Sequence, residues 1–227
     1  MELEAVDELL PGKKLGRGVI HEVLWEGKNP RPFFFAAWMA RMGGKERHEG
    51  TEARRHEATK GGKIVWCDPR GEVYPPGLLG VGISFSEVLL LRPWNAEEEI
   101  WALGECLGCK GVGVTVAQPP VLSRVVARRL QLAAERGGGV GILMRRMGAA
   151  SLHHAAATRW LVEPARGERT VQRWKIQLIH GHGGRLHKPV YLECSREFDS
   201  MHRVRAVEEL VGGSGEKVAA TRHRRSG

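Results

Sequence analysis

No stretch of this 227-residue chain approaches the roughly 18 apolar residues that a membrane-spanning helix needs. The longest apolar runs, 33–37 and 88–91, are far shorter, so no membrane role is expected. The first residues, Met1-Glu2-Leu3-Glu4, are acidic where a secretory leader would be basic and then apolar. Four cysteines are too few for a disulfide scaffold, and the expectation is a cytoplasmic protein with reduced thiols. Aromatic residues make up only 6% of the chain, although seven of them are tryptophan. What is present is a 42% hydrophobic content, enough to bury the core of one sizeable α/β domain. There is also an excess of base: 35 Lys and Arg against 26 Asp and Glu, a net charge of +9. Such a balance favours polyanionic partners and suggests a nucleic-acid setting, though it also suits an ordinary soluble basic protein.

Short apolar runs alternate with helical patterns through the first two thirds of the chain. Val19 to Leu24, Ile64 to Cys67, Val88 to Leu91, Gly111 to Val116 and Val140 to Met144 read as buried strands. Phe33 to Met42 reads as a helix started through Pro30 and Pro32, and Tyr74 to Leu79 as a short helix opened by two prolines. Asn95 is placed to cap a helix over Ala96 to Leu107, whose first turn holds Glu97, Glu98 and Glu99. Leu122 to Glu135 is a further helix, stopped by the glycine triplet 137–139. Lys45 to Lys60 is dense in charge, without an apolar stripe, and reads as a solvated loop or frayed helix. This alternation predicts a mainly parallel sheet flanked by helices. After Ser151 the texture changes: Thr158 to Val162, Trp174 to Ile179 and Val190 to Cys194 read as antiparallel strands.

Signatures of catalysis and metal binding are scarce. Ser123, Ser151 and Ser195 lack a nucleophile-elbow context. Cys106 and Cys109 have zinc-ligand spacing, but Cys67 and Cys194 lie far off and unpaired in sequence. They read as small buried hydrophobes. His153-His154 and His180-x-His182 have no matched acids and read as polar loop positions. Trp160 and Trp174 read as packing the back of the sheet, with base stacking as the alternative.

The order of these pieces resembles the RecA-like family. Leu15-Gly16-Arg17-Gly18-Val19-Ile20-His21-Glu22-Val23 is similar to that family's first core strand. Tyr74 with Leu79-Gly80-Val81-Gly82-Ile83, and Leu89-Leu90-Leu91-Arg92-Pro93 before a Glu-rich helix, are similar to later segments. Arg128 to Glu135 and Thr158-Arg159-Trp160 resemble the ImuA branch, a set of mutagenesis accessory proteins. The resemblance covers roughly Leu10 to Leu178, and its weight lies in order and spacing rather than in any one piece.

What the resemblance calls for and the chain lacks is the phosphate loop, G-x-x-x-x-G-K-[ST]. The corresponding stretch is Trp25-Glu26-Gly27-Lys28-Asn29-Pro30-Arg31-Pro32. Trp25 and Pro30 stand at the loop glycines, Arg31 at the lysine and Pro32 at the hydroxyl. Proline has no N–H to offer a phosphate, and tryptophan brings bulk where backbone must approach it. Four Gly-Lys pairs occur (12–13, 27–28, 44–45 and 62–63), and none has the required flanking residues. The strand over Val112 to Val116 runs into Ala117-Gln118-Pro119 without an acid to hold magnesium. Asp68 is the one acid near the place where RecA keeps its water-activating glutamate.

The resulting expectation is an α/β fold: a RecA-like P-loop-type core with a mainly parallel central sheet flanked by helices, plus C-terminal antiparallel strands. Residues 1–14 form an N-terminal segment, 15–150 a degenerate RecA-like core, 151–211 a strand extension, and 212–227 a basic disordered tail. The resemblance implies a non-catalytic adaptor, without a cofactor or metal, supporting SOS mutagenesis and translesion synthesis. Its implied partners are an ImuB-like Y-family polymerase homologue, RecA and, indirectly, an error-prone replicative-type DNA polymerase. Arg145, Arg146, Arg222, Arg224 and Arg225 are the candidate nucleic-acid or partner contacts. Two alternatives stay open: a single-stranded-DNA-binding repair protein and a residual ATP-binding regulator.

Overall fold

The computed structural model describes residues 10, 14–45, 62–148, 155–166, 171–181, 188–195 and 204–207. The chain order is β1 (Val19–Trp25), α1 (Phe33–Lys45), β2 (Lys63–Cys67), α2 (Pro75–Gly80), a 3-10 turn (Phe85–Glu87) and β3 (Val88–Leu91). Then come α3 (Ala96–Gly108), β4 (Val112–Ala117), α4 (Arg124–Gly137), β5 (Val140–Arg146), β6 (Thr158–Ala165), β7 (Val171–Gly181), β8 (Val190–Ser195) and β9 (Val204–Val207).

Among the described residues the strands form one sheet in the order β3-β2-β4-β5-β1-β6-β7-β8-β9. The first six run parallel and the last three antiparallel. The fold is therefore α/β with a mainly parallel sheet and antiparallel C-terminal strands. The three strands expected to be antiparallel pair that way, β6 with β7 and β7 with β8. What the sequence does not show is that β6 also lies parallel beside β1, with His21 opposite Thr158 and Val23 opposite Trp160, so it joins the antiparallel strands to the parallel sheet.

Alternation along the strands divides the core in two. Val23, Val114, Val116, Ile142 and Met144 point to one face, where α1 packs. Ile20, Cys67, Ala117 and Leu143 point to the other, which α3 and α4 cover. Helix α1 is largely apolar because it lies between the sheet and the segment around α2, where Val73, Leu78, Val81 and Ile83 are buried; Phe35, Ala36, Met39 and Ala40 are fully buried. The rings of Phe35 and Trp160 stand 5.8 Å apart, and those of Phe34 and Trp174 4.9 Å. Trp160 and Trp174 are both buried, which favours the packing role over base stacking.

The caps agree with the sequence. Asn95 Oδ1 accepts from the Glu98 N–H at 2.8 Å, starting α3. Ser123 accepts from Val126 N–H and starts α4 at Arg124, two residues later than the apolar pattern alone predicts. The charged segment up to Lys60 lies outside the described residues beyond Lys45, and so do His153, His154, His182 and 212–227.

Candidate functional site

In an open parallel sheet, ligands gather at the carboxyl ends of the strands where neighbouring connections leave toward opposite faces. Here β1 leads into α1 on one face, while β4 leads into α4 on the other. Strand β5 lies between them. A cleft of roughly 770 Å³ opens at that point, walled by the loop after β1, by 118–121 after β4 and by the end of β5.

The loop after β1 makes contacts within itself. Trp25, the last residue of β1, is buried. Asn29 N–H is donated to the Glu26 carbonyl at 2.9 Å, and Phe33 N–H to the Arg31 carbonyl at 2.9 Å. Pro32 opens the first turn of α1, its carbonyl accepting from Phe35 and Ala36. Two of the loop's N–H groups, those of Asn29 and Phe33, are thus paired within the chain, and Pro30 and Pro32 have none to offer.

Arginine supplies every charge on the cleft wall: Arg31, Arg145 and Arg146 among the described lining residues. Arg31 pairs with Glu72, which also accepts from Arg70 Nε at 2.9 Å. Arg31, and then Arg70, hold the Glu72 carboxyl below the usual carboxylate range. Arg146 donates from Nη2 to the Gly27 carbonyl at 3.0 Å. A Cβ on Gly27 would stand 2.3 Å from that guanidinium, so a larger residue there would push the exposed Arg146 side chain aside. Arg145 points the other way: it is buried and donates to Glu22 Oε1 at 2.7 Å. Arg159 Nε donates to the second oxygen of Glu22 at 2.9 Å, so one buried carboxylate ties β5, β1 and β6 together. Of the neighbouring arginines predicted as contacts, only Arg146 is exposed to a partner; Arg222, Arg224 and Arg225 lie outside the described residues.

The glutamate position was legible in principle. A lone acid inside an otherwise apolar strand, Val19-Ile20-His21-Glu22-Val23-Leu24-Trp25, requires a buried partner. Its neighbour His21 is also buried. Nε2 lies 2.9 Å from the Gly16 carbonyl, and Nδ1 lies 2.7 Å from Thr158 Oγ1, which itself accepts from Trp160 Nε1–H at 2.8 Å. Burial pushes the His21 pKa down to about 4, so the ring is neutral and Nε2 carries the proton donated to Gly16.

Asp68, the one acid near a water-activating position, is already committed. Its carboxylate accepts from the backbone N–H groups of Glu72 at 2.9 Å and Val73 at 3.0 Å, closing the turn before α2. The thiol of Cys67 is buried and pushed up to about 12, chiefly by burial. Cys106 is half-buried and Cys109 exposed, which corrects the reading of that pair as buried hydrophobes. Among the described residues no three His, Cys, Asp or Glu side chains gather as a metal site, and no helix is long and apolar enough to cross a membrane.

Sheet order and cleft define the class: an α/β protein with a mainly parallel sheet and an arginine-walled cleft at its switch point. No protein-family model matches the chain. Two curated relatives do, both called Protein ImuA, from two strains of Caulobacter vibrioides. Each is 29% identical over 201 residues, covering 80% of this chain and 77% of the relative. The chain is thus similar to proteins called ImuA over most of its length.

Proposed function

We propose that this chain is a non-catalytic, RecA-like adaptor of the DNA damage response. It supports error-prone translesion synthesis by holding partner proteins rather than by turning over nucleotide. The observation that carries the reading is the Arg146 guanidinium lying against Gly27. In a RecA-like core that hollow would receive the phosphates of a nucleotide. Here the chain's own cation occupies it, beside two prolines and a buried tryptophan. The run of strands β3-β2-β4-β5-β1, all parallel, with β1 feeding the loop, supports the RecA-like placement.

On this reading the sheet and helices survive as a docking scaffold. The partners are an ImuB-like Y-family polymerase homologue, RecA and, through them, an error-prone replicative-type polymerase. The test has two arms. Titration with a fluorescent ATP analogue and magnesium is expected to show no saturable binding. A pull-down of the full chain is expected to retain the ImuB-like protein or RecA. Tight nucleotide binding abolished by Arg31→Ala would overturn the loss of the phosphate site, whereas retention of neither protein would overturn the adaptor role.

The net charge of +9 and the exposed Arg146 favour a second reading, direct contact with single-stranded DNA. That reading requires binding that weakens steeply with salt. Fluorescence anisotropy with a labelled oligonucleotide separates the two, since an adaptor alone leaves the anisotropy flat at low salt.

A further inference from the structure

Five of the seven tryptophans are buried, each at 4% exposure or less. Trp94 and Trp101 depart from that pattern at 93% and 62% exposed. Trp94 lies just before the cap of α3 and Trp101 in its second turn. Next to it on the same face of the sheet, α4 exposes Val125 and Leu132, seven residues apart on one side of the helix, with Val121 just before it. Scattered exposed hydrophobes are ordinary, but exposed tryptophans concentrated beside an aliphatic stripe are not.

Charge on this layer is segregated by helix. Exposed or half-exposed Glu97, Glu98 and Glu105 lie on α3, which has no lysine or arginine. Exposed Arg124, Arg128, Arg129 and Arg136 lie on α4 against the single acid Glu135. The two helices run parallel to each other, because each follows one strand of a parallel sheet and precedes another. Their ends are level: the Arg136 guanidinium lies against Gly108, where a Cβ would be 2.6 Å away.

A face acidic along one helix and basic along its parallel neighbour is complementary to itself. Turning a second copy about a two-fold axis along the helices sets each α3 over the partner's α4, running the same way. The Glu97 end then meets the Arg124 end, and the Trp101 ring meets the Val125–Leu132 stripe. We infer that the outer α3–α4 face is a two-fold homodimer interface in which α3 of each copy packs on α4 of the other. Such a contact is isologous and closes at two subunits.

Local structure prepares the anchors. The Trp94 N–H donates to Glu98 Oε2 at 2.7 Å while Asn95 caps the same turn, so the backbone carrying the exposed ring is held before any partner arrives. The Arg128–Glu135 contact at 3.8 Å is exposed and worth little, so exchanging it across an interface costs little. Two helices of 13 and 14 residues, each about 20 Å long, give a face near the small end of specific interfaces. A micromolar dimer weakened by salt is expected.

Sedimentation velocity of the full chain across concentration tests this. Glu97→Arg alone and Arg124→Glu alone should each weaken self-association about tenfold or more. Mixing the two single variants should restore a dimer, because each then supplies the charge the other lacks. Recovery in the mixture also shows that both variants fold. Trp101→Ala should weaken the dimer without lowering the melting temperature of the monomer. A chain that stays monomeric at every concentration overturns the inference. So does an assembly larger than two, or a dimer indifferent to all three substitutions, and a monomer whose α3 face instead captures a different protein is counted the same way.

Discussion

Glu22, Arg145 and Arg159 show how a single side chain can hold a parallel sheet together across its widest point. The carboxylate is 2% exposed and Arg145 3%, so neither charge has water to fall back on. A buried pair of this kind adds little net stability, but removing one member strands the other. Glu22→Gln is expected to destabilise the fold by about 3–5 kcal/mol, whereas replacing Glu22 and Arg145 together by Leu and Met should cost distinctly less. Urea unfolding of both variants measures the contrast; equal losses would mean that the pair is not the unit. His21 acts one residue away and through pH. Its folded pKa of about 4 lies below the ordinary 6.5, so in acid the unfolded chain takes up a proton that the folded chain refuses. Stability is therefore whole above about pH 6.5 and declines as the pH falls toward 4, by about 3 kcal/mol over that window. His21→Gln should be less stable at neutral pH yet lose much of this slope. The same slope in the variant would assign it to other groups.

Helices α3 and α4 approach so closely that side-chain size is decided by backbone. A Cβ on Gly137 would stand 2.1 Å from the Leu107 carbonyl oxygen, a distance no relaxation of a side chain can relieve. Gly137→Ala, normally favourable within a helix, is expected to destabilise by more than about 2 kcal/mol. Thermal melting reads this directly, and an unchanged midpoint would show that the helices can slide apart. This element also marks how far the sequence could be read. The amphipathic pattern of Leu122 to Glu135 and the glycine triplet revealed the helix and its stop, because periodicity and caps are local. Asn95, the prolines that open α2 and the apolar runs of β1 to β5 were legible for the same reason. The parallel pairing of β6 with β1 was not, since nothing in Thr158 to Val162 records which second neighbour it meets. Nor was β9, four residues of ordinary composition that pair only because β8 leaves an open edge. In the cleft, the residues of the loop after β1 were visible one by one, since they are contiguous in the chain. The placement of Arg146 against Gly27 was not, because it joins positions 119 residues apart.

At the scale of the whole molecule, the loss of the phosphate site proposed above would be a property of several walls at once. Strand β1 supplies Trp25, the loop supplies Pro30, Arg31 and Pro32, β5 supplies Arg146, and the segment after β4 supplies Gln118 and proline where an acid would be needed. These come from separate parts of the chain, so reverting one leaves the others in place. Arg31→Lys combined with Pro32→Thr rebuilds the end of the motif in sequence. It is nevertheless expected to bind no ATP, because Trp25 and Pro30 keep the loop backbone from cradling phosphate and Arg146 still fills the hollow at Gly27. It should also lose some stability, since the Arg31–Glu72 pair and the fixed start of α1 go with it. Adding Arg146→Ala opens the hollow, and adding Trp25→Gly and Pro30→Gly frees the backbone. Only the combined variant is expected to show measurable magnesium-dependent binding by calorimetry, and that weakly, because no acid after β4 completes the metal site. Binding by the two-residue reversion alone would mean that the site is intact and merely blocked by Arg31 and Pro32, and the adaptor reading would then have to give way to a regulated nucleotide binder.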